Sequence, residues 1–488
     1  MKYIIIISSI FLWANILIGC YEDKGNYDYK DTFEVTIDSI EESYNGIALI
    51  DTLRINPVVI PSDVEYEYWW GIIKPGQGAT LDTICHTRQL NYHLALEANN
   101  YTLVFMATER ETGISRIVRT RLQISTPLSK GWYILHSQEG MTDLDLFTNE
   151  GKAENIIAVN NGKGLRGEAR NLNFSRYYYL WNETYEFYMQ GNTLFAVAGE
   201  DCATIRLSDG AIVYTFDEMF YDRPPVANPQ DMWLTYSEGY IINDGKMYTI
   251  YNSSENSGRF GGIVDGDYRL APCHVNAGSN PLLYDEKNSS FITISAMDNR
   301  VTTFNDKGAQ PVNQMDADLL FMGPRGDYAW ALMKKKTEDV YMMLNLLAYY
   351  PYNYDYSNPT VRRDTLDVSL DILYAEKWAT NTRNNIIYFA IGNKVHSCNI
   401  DAGYQERIQE NVKLSSQETV TYMRHLTFSS SVESFEYLGI GTYDGSDYKL
   451  YLHRIQAGNL QPDPEILQGK GRIGGVVYVD GSSSTAIN

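Results

Sequence analysis

From Phe33 onward the chain is written in short runs in which apolar and polar residues alternate, broken by Gly, Asn, Asp and Pro. Phe33-Glu34-Val35-Thr36-Ile37, Tyr66-Glu67-Tyr68-Trp69-Trp70 and residues 101–107 and 117–124 are four of them. Successive side chains of a strand point to opposite faces, so this period of two predicts strands with one face buried. Over residues 33–126 a tryptophan pair mid-way and Tyr101-x-Leu103-x-Phe105 late in the stretch fit an immunoglobulin-like sandwich. Past Pro127 a longer rhythm takes over: an apolar strand, a Gly/Asn/Asp turn, then a second apolar strand. The repeats start at Gly131, Asn192, Gly239, Ser290, Asp327, Asn385, Glu436 and Gly474, on average about 49 residues apart. Propeller blades of four strands repeat at roughly 40–50 residues. Seven intervals over residues 127–481 therefore predict seven blades, with the eighth segment, 474–479, completing the first blade and latching the ring. Six or eight blades, or a large β-sandwich, are the alternatives. Residues 366–378 read as a short helix or an irregular strand pair, and 482–488 as a flexible tail. The fold class is all-β.

The start of the chain is different. Met1-Lys2-Tyr3 leads into an apolar run, residues 4–18, that ends at Gly19-Cys20. A spanning helix needs about 20 apolar residues, so this run has the length of a secretory signal, residues 1–19. Residues 20–32 are polar and turn-rich and read as a tether. Leu17-Ile18-Gly19-Cys20 resembles the lipobox of bacterial lipoproteins. That resemblance implies cleavage before Cys20, two acyl chains on its sulfur and one on its new amino group, and so outer-membrane lipid as a partner. One acyl chain holds only marginally, at about 0.8 kcal/mol per buried CH2, whereas two or three hold stably. Glu22-Asp23, just behind, resembles the signal that sends lipoproteins of Bacteroidota to the outer face of the outer membrane; the periplasmic face is the alternative.

Charge and composition narrow the partners. Sixty-one acidic residues against 40 basic ones leave a formal charge of −21, which argues against nucleic acid and anionic membrane surfaces as partners, since both want clustered Lys and Arg. The 39 tyrosines favour strands and also suit surfaces that hold sugars or peptides through rigid amphipathic rings. Of five cysteines, Cys20 is taken by lipid and Cys85, Cys202, Cys273 and Cys398 are scattered. Cys85-His86, Cys273-His274 and His396-Ser397-Cys398 set three of them beside a histidine, but a metal site would have to gather these from distant parts of the chain. They read as isolated buried thiols, with one long-range disulfide as the alternative. No metal and no cofactor is expected.

Catalytic motifs are absent from the sequence: no G-x-S-x-G, no H-E-x-x-H and no glycine-rich phosphate loop after a strand. A glycosidase needs only two carboxylates about 5–10 Å apart, which sequence does not display. Asp143/Asp145 and Asp444/Asp447 read as loop carboxylates rather than calcium ligands. No catalytic residue is predicted. Two aromatic clusters stand out as candidate ligand- or partner-binding surfaces: Tyr177, Tyr178, Tyr179 and Trp181, and the loop residues Tyr349, Tyr350, Tyr352, Tyr354 and Tyr356.

The decapeptide Cys20-Tyr21-Glu22-Asp23-Lys24-Gly25-Asn26-Tyr27-Asp28-Tyr29 resembles the opening of the PKD-like family of lipoproteins of Bacteroidota. Residues 66–70, 100–105 and Thr112-Gly113 resemble that family's PKD module. The resemblance covers residues 20–126 and implies a PKD-like sandwich. Because the family accompanies SusC/SusD-type importers, it also implies a non-catalytic accessory of a glycan or peptide uptake system. No catalytic residues are known for the family, so none are carried over. A surface-anchored propeller hydrolase or lyase, and a structural scaffold among outer-membrane lipoproteins, are the competing expectations.

Overall fold

The structure, a computed structural model, describes residues 34–485 apart from 49, 75–79, 97–98, 183–185, 237, 252–256, 279, 296–298, 307–309, 350–355 and 482. Cys20 and the other residues of the signal and tether lie outside the described residues. The chain divides into two compact units, Met1–Leu94 with Asn99–Gln123, and Ala95–Ala98 with Ile124–Asn488.

The first unit is a β-sandwich. One sheet runs in the order Ser43–Ile47, Ser115–Ser125, Asn99–Glu109, Tyr66–Ile73, Asp82–Cys85. Two short ladders, Thr36–Asp38 with Val58–Ile60 and Thr52–Ile55 with Leu90–His93, form the rest. Alternation shows directly in Thr52–Ile55, where Leu53 and Ile55 are buried and Arg54 is exposed. Trp70 is fully buried with its ring 4.6 Å from Phe105, and its Nε1 donates to the Arg88 carbonyl at 3.2 Å. This satisfies the one polar atom of a large core side chain.

The second unit is a seven-bladed β-propeller. Blades 2, 5 and 6 are four-stranded meanders, each in simple sequence order: 169–182 to 212–215, 317–325 to 360–366, and 377–380 to 405–408. Blade 3 has three strands, Pro229–Leu234, Glu238–Asn243 and Lys246–Tyr251, with a bridge from Tyr248 to Ile263. Blade 4 pairs Leu282–Asp285, Ser290–Ser295 and Arg300–Thr303, and its innermost segment joins through the bridges Leu270 to Asp285 and Val275 to Leu282. Blade 7 runs Thr419–Ser429, Ser434–Tyr443, Asp447–Gln456 and Glu465–Lys470. Blade 1 takes Lys130–Gln138, Met141–Thr148 and Gly151–Ala153 from the start of the unit and Arg472–Asp480 from its end. The segment at Gly474 thus latches the ring, and the apolar rhythm of the sequence finds the right number of blades.

Why the rhythm was legible follows from the packing. Each blade presents two faces to two neighbours, so the strand behind the innermost one is buried on both sides. In blade 5, Ala329, Ala331 and Met333 face a core shared with blade 4, and Trp330 and Leu332 face a core shared with blade 6. In blade 6, Ile387 and Phe389 pack toward blade 5, Tyr388 and Ala390 toward blade 7. One such core separates every neighbouring pair, and the last, of Leu426, Leu450, Trp132, Ile134 and Tyr478, joins blade 7 to blade 1. Beside it Tyr448 donates to Asp145 Oδ2 at 2.6 Å.

The latch strand needs its glycines. A Cβ on Gly474 would lie 2.2 Å from the Ala169 carbonyl oxygen, and one on Gly475 2.5 Å from the Leu172 nitrogen. The inner strands of blades 1 and 2 therefore approach more closely than side chains allow. Three expectations change. Residues 366–378 hold the end of a strand, a 3-10 turn at Asp371–Tyr374 and the start of the strand Lys377–Thr380. The end of the chain is not frayed where it is described. Ser483–Ser484 pairs with Val479 and Asp480, and Thr485 is buried against Tyr478, with its N–H donating to the Tyr478 carbonyl at 2.9 Å. Finally, Cys85, Cys202, Cys273 and Cys398 are free thiols as expected, but only Cys202 and Cys398 are buried, in the cores between blades 2 and 3 and between blades 5 and 6, while Cys85 and Cys273 are half-buried.

Candidate functional site in the propeller channel

The inner strands carry the site. A cavity of about 220 Å³ is lined by Asn171 and Asn173 from blade 2, Asp231 from blade 3 and Pro272, Cys273 and His274 from blade 4. Blade 5 adds residues 321–324, blade 6 Trp378, Thr380 and Thr382, and blade 7 Arg424 and His425. Four of these strands slip register just ahead of the lining, between Ala169 and Asn171, Pro229 and Asp231, Leu319 and Phe321, and Val420 and Tyr422. A bulge inserts one residue, bends the strand and re-aims the side chains that follow. In blades 2, 3 and 7 it precedes the polar lining residues Asn171, Asp231 and Arg424.

Asp231 organises the centre. It is almost fully buried; its Oδ2 lies 2.7 Å from His274 Nδ1, and its Oδ1 accepts from Asn171 Nδ2 at 2.5 Å and from its neighbour's N–H, Met232, at 2.9 Å. A carboxylate only accepts, so His274 Nδ1 carries a proton and Nε2 is the nitrogen left for a ligand. The imidazole lies flat on Trp233, with centroids 3.5 Å apart and planes 8° apart, and Tyr240 stacks with the indole at 5.2 Å. Asn173 donates to the Met232 carbonyl at 2.7 Å and reaches Asp231 Oδ1 at 3.4 Å. Both hydrogens of that amide are used, which fixes its orientation. Its Oδ1 is buried and accepts from no described residue.

On the far wall, Thr382 donates its backbone N–H to His425 Nδ1 at 3.0 Å, and His425 Nε2 lies 3.0 Å from Glu436 Oε1. A backbone N–H can only donate, so Nδ1 is unprotonated and Nε2–H faces Glu436, whose other oxygen accepts from Arg383 at 2.7 Å. Burial pushes the His425 pKa down against the pull of Glu436, so the ring stays neutral. Cys273 is held as a thiol: burial, with the Asp231 and Glu286 charges behind it, pushes it up to about 12. It is no nucleophile at neutral pH. Asp231 is the one carboxylate among the lining residues, and it is already engaged. Arg424 has no ion-pair partner among the described residues.

A second cavity of about 230 Å³ shares Asn173 and His274 with the first and continues toward the C-terminal ends of the inner strands. Its lining adds Ser175, Arg176, Tyr177, Trp233, Asn276, Ser484 and Thr485. Here a further register shift, between Ser175 and Tyr178, bulges the strand at Arg176 and Tyr177. Arg176 lies over the Tyr177 ring at 4.8 Å and donates to its hydroxyl at 2.6 Å, and the exposed Tyr236 meets Tyr177 edge-on at 5.0 Å. Trp233 Nε1 and Asn276 Oδ1 are buried with no hydrogen-bond partner among the described residues. An unmet buried polar group costs about 1–3 kcal/mol, so three of them around one cavity call for hydrogen-bond partners there, solvent or ligand.

The predicted aromatic residues are split by strand alternation. Tyr177 lines the second cavity, Tyr179 is half-buried and Trp181 is exposed, edge-on to Tyr188 at 5.2 Å. Tyr178, on the opposite face, is a correction. It is fully buried in the core between blades 2 and 3 and donates to the Gly258 carbonyl, so it binds no ligand. Tyr349 is 43% exposed and Tyr356 packs against the core between blades 4 and 5. Tyr350, Tyr352 and Tyr354 lie outside the described residues. Asn171, Asn173, Asp231, Trp233, Asn276, Arg424 and His425 were not singled out as site residues. The pairing Cys273-His274 was the one visible hint, and it pointed to metal rather than to Asp231.

The PKD-like family matches residues 20–169, which span the sandwich and the first strands of blade 1. No curated protein matches the chain. Among solved structures, a quinonprotein alcohol dehydrogenase-like protein from Bacteroides thetaiotaomicron is similar at 11% identity and TM-score 0.41, over 91% of this chain and 95% of that one. The dihydro-heme d1 dehydrogenase NirN shares 7% identity at TM-score 0.39, over 73% and 76% of the two chains. Hsv2p of Kluyveromyces lactis shares 9% at 0.35, over 70% and 94%. The propeller assignment rests on the sheets and cores themselves.

Proposed function

We propose that this protein is a lipid-anchored, surface-exposed outer-membrane accessory that captures a ligand in its propeller channel, working beside a SusC/SusD-type importer of glycans or peptides. The observation that carries capture is the channel lining. It offers unmet hydrogen-bonding groups, a stacked His274–Trp233 pair and two arginines, with a single, engaged carboxylate and a protonated thiol. Paired acids or an activated nucleophile would support hydrolysis; converging unmet groups support binding. The anchor at Cys20 and the importer partnership rest on the lipobox and the N-terminal decapeptide; the family match over residues 20–169 supports the PKD-like module alone. The protein purified from membranes in mild detergent, screened on glycan and peptide arrays, is expected to retain ligands of one class unchanged and to carry acyl mass on Cys20. Failure to retain any ligand overturns capture; an unmodified Cys20 overturns the placement.

One observation favours a second reading. Asp231 holds His274 with Nε2 free among the described residues, the posture of a general base. Cleaved or unsaturated products in the same array wells would establish a lyase or hydrolase instead.

A further inference from the structure

We infer that the second cavity is a subsite for the hydroxyl-bearing end of a glycan chain, and that Asn173, Asn276 and Trp233 are its recognition groups. The inference rests on the capture reading and names its ligand. Asn173 Oδ1 is the strongest mark. The residue is 1% exposed and lines both cavities, its two amide hydrogens are committed to Asp231 and Met232, and its acceptor has no partner among the described residues. Asn276 adds a second unmet acceptor and Trp233 Nε1 an unmet donor on the same wall. The indole faces are covered by His274 and Tyr240, so Trp233 meets a ligand through its N–H edge.

The mixture of groups selects among chain ends. A peptide carboxylate accepts only, and two of the three unmet atoms are acceptors. A peptide ammonium donates only; it would leave the Trp233 donor unmet and would sit near Arg176 in a cavity lined by no carboxylate. A sugar hydroxyl both donates and accepts, so adjacent hydroxyls of one ring can satisfy all three atoms. At about 230 Å³ the cavity lies below the roughly 300–1,000 Å³ of drug-sized pockets, which suits one ring rather than a length of chain. Tyr177 and the exposed Tyr236 stand beside it, placed to meet the next ring.

The test is calorimetric titration of the full chain in mild detergent with methyl glucoside, galactoside, mannoside and N-acetylglucosaminide, and in parallel with trialanine. At least one glycoside is expected to bind saturably and trialanine not at all. Asn276→Leu is expected to weaken the glycoside at least tenfold with an unchanged thermal midpoint. Asn173→Leu carries a folding risk because it also holds Asp231, and Asn276→Leu, whose side chain anchors no described neighbour, avoids it. Glycoside binding equal in Asn276→Leu and wild type overturns the subsite, and so does trialanine competing for the cavity; the capture reading survives both. Binding of neither class overturns both.

Discussion

Neighbouring residues on the inner strand of blade 2 have opposite fates, because each step along a strand changes face. Tyr178→Phe removes a buried donor to Gly258 and is expected to cost about 1–3 kcal/mol in denaturant unfolding, with ligand retention unchanged. Tyr177→Ala is expected to shift stability by less than about 0.5 kcal/mol, as surface changes do, while weakening array binding. Equal effects of the two would show that the strand face is misassigned. Cys273 gives a chemical check. With its pKa pushed up to about 12, the thiol is expected to stay unlabelled by iodoacetamide at pH 8 in the folded protein and to label fully in denaturant, read by peptide mass spectrometry. Fast labelling in the folded state would contradict the raised pKa of this thiol. Residues of this kind were the least visible in the sequence. Asn173, Asp231 and Arg424 sit on strands with one wet face, where polar residues look like ordinary alternation, and nothing local marks which of them converge.

The strands behind them were legible, because burial on both faces writes an uninterrupted apolar run such as Ile386–Ile391 or Tyr328–Leu332. The closing strand was legible for the same reason, although Gly474-Gly475 read only as part of a turn-and-strand theme. Their role emerges from the close approach to Ala169 and Leu172. Gly474→Val is expected to destabilise the propeller by about 1–3 kcal/mol, the usual cost of overpacking, measured by chemical denaturation. A neutral result would mean that the strand docks elsewhere. Acid should probe the same seam. Burial pushes Asp145 up, but the His136 ring, the Tyr448 hydroxyl and the Asn155 N–H outweigh it and hold the carboxyl at about 2. His136 Nε2 lies 3.1 Å away without the alignment of a hydrogen bond, and Lys152 at 3.0 Å adds charge. A folded pKa below the ordinary aspartate value of 3.8 stabilises the fold above that value and loses the contribution as pH falls toward 2. The seam is therefore expected to lose about 2 kcal/mol between pH 5 and pH 2. Asp145→Asn is expected to flatten that limb; an unchanged acid profile would contradict the depressed pKa.

Across the whole molecule, the proposed acyl anchor, a sandwich and a ring with a polar channel suit capture at a surface. The innermost strands of the seven sheets line a channel instead of a packed core, so the axis can hold polar groups that a sandwich core would reject. Those groups come from six blades and from sequence positions as far apart as Asn171 and His425. No local motif could have announced them. The most direct measurement is the indole N–H spectrum of the intact protein with 15N-labelled tryptophan, assigned by Trp233→Phe and Trp181→Phe, before and after addition of an array-selected ligand. Capture in the channel predicts that the Trp233 signal moves and saturates while the Trp181 signal stays. A stationary Trp233 signal under saturating ligand would contradict it.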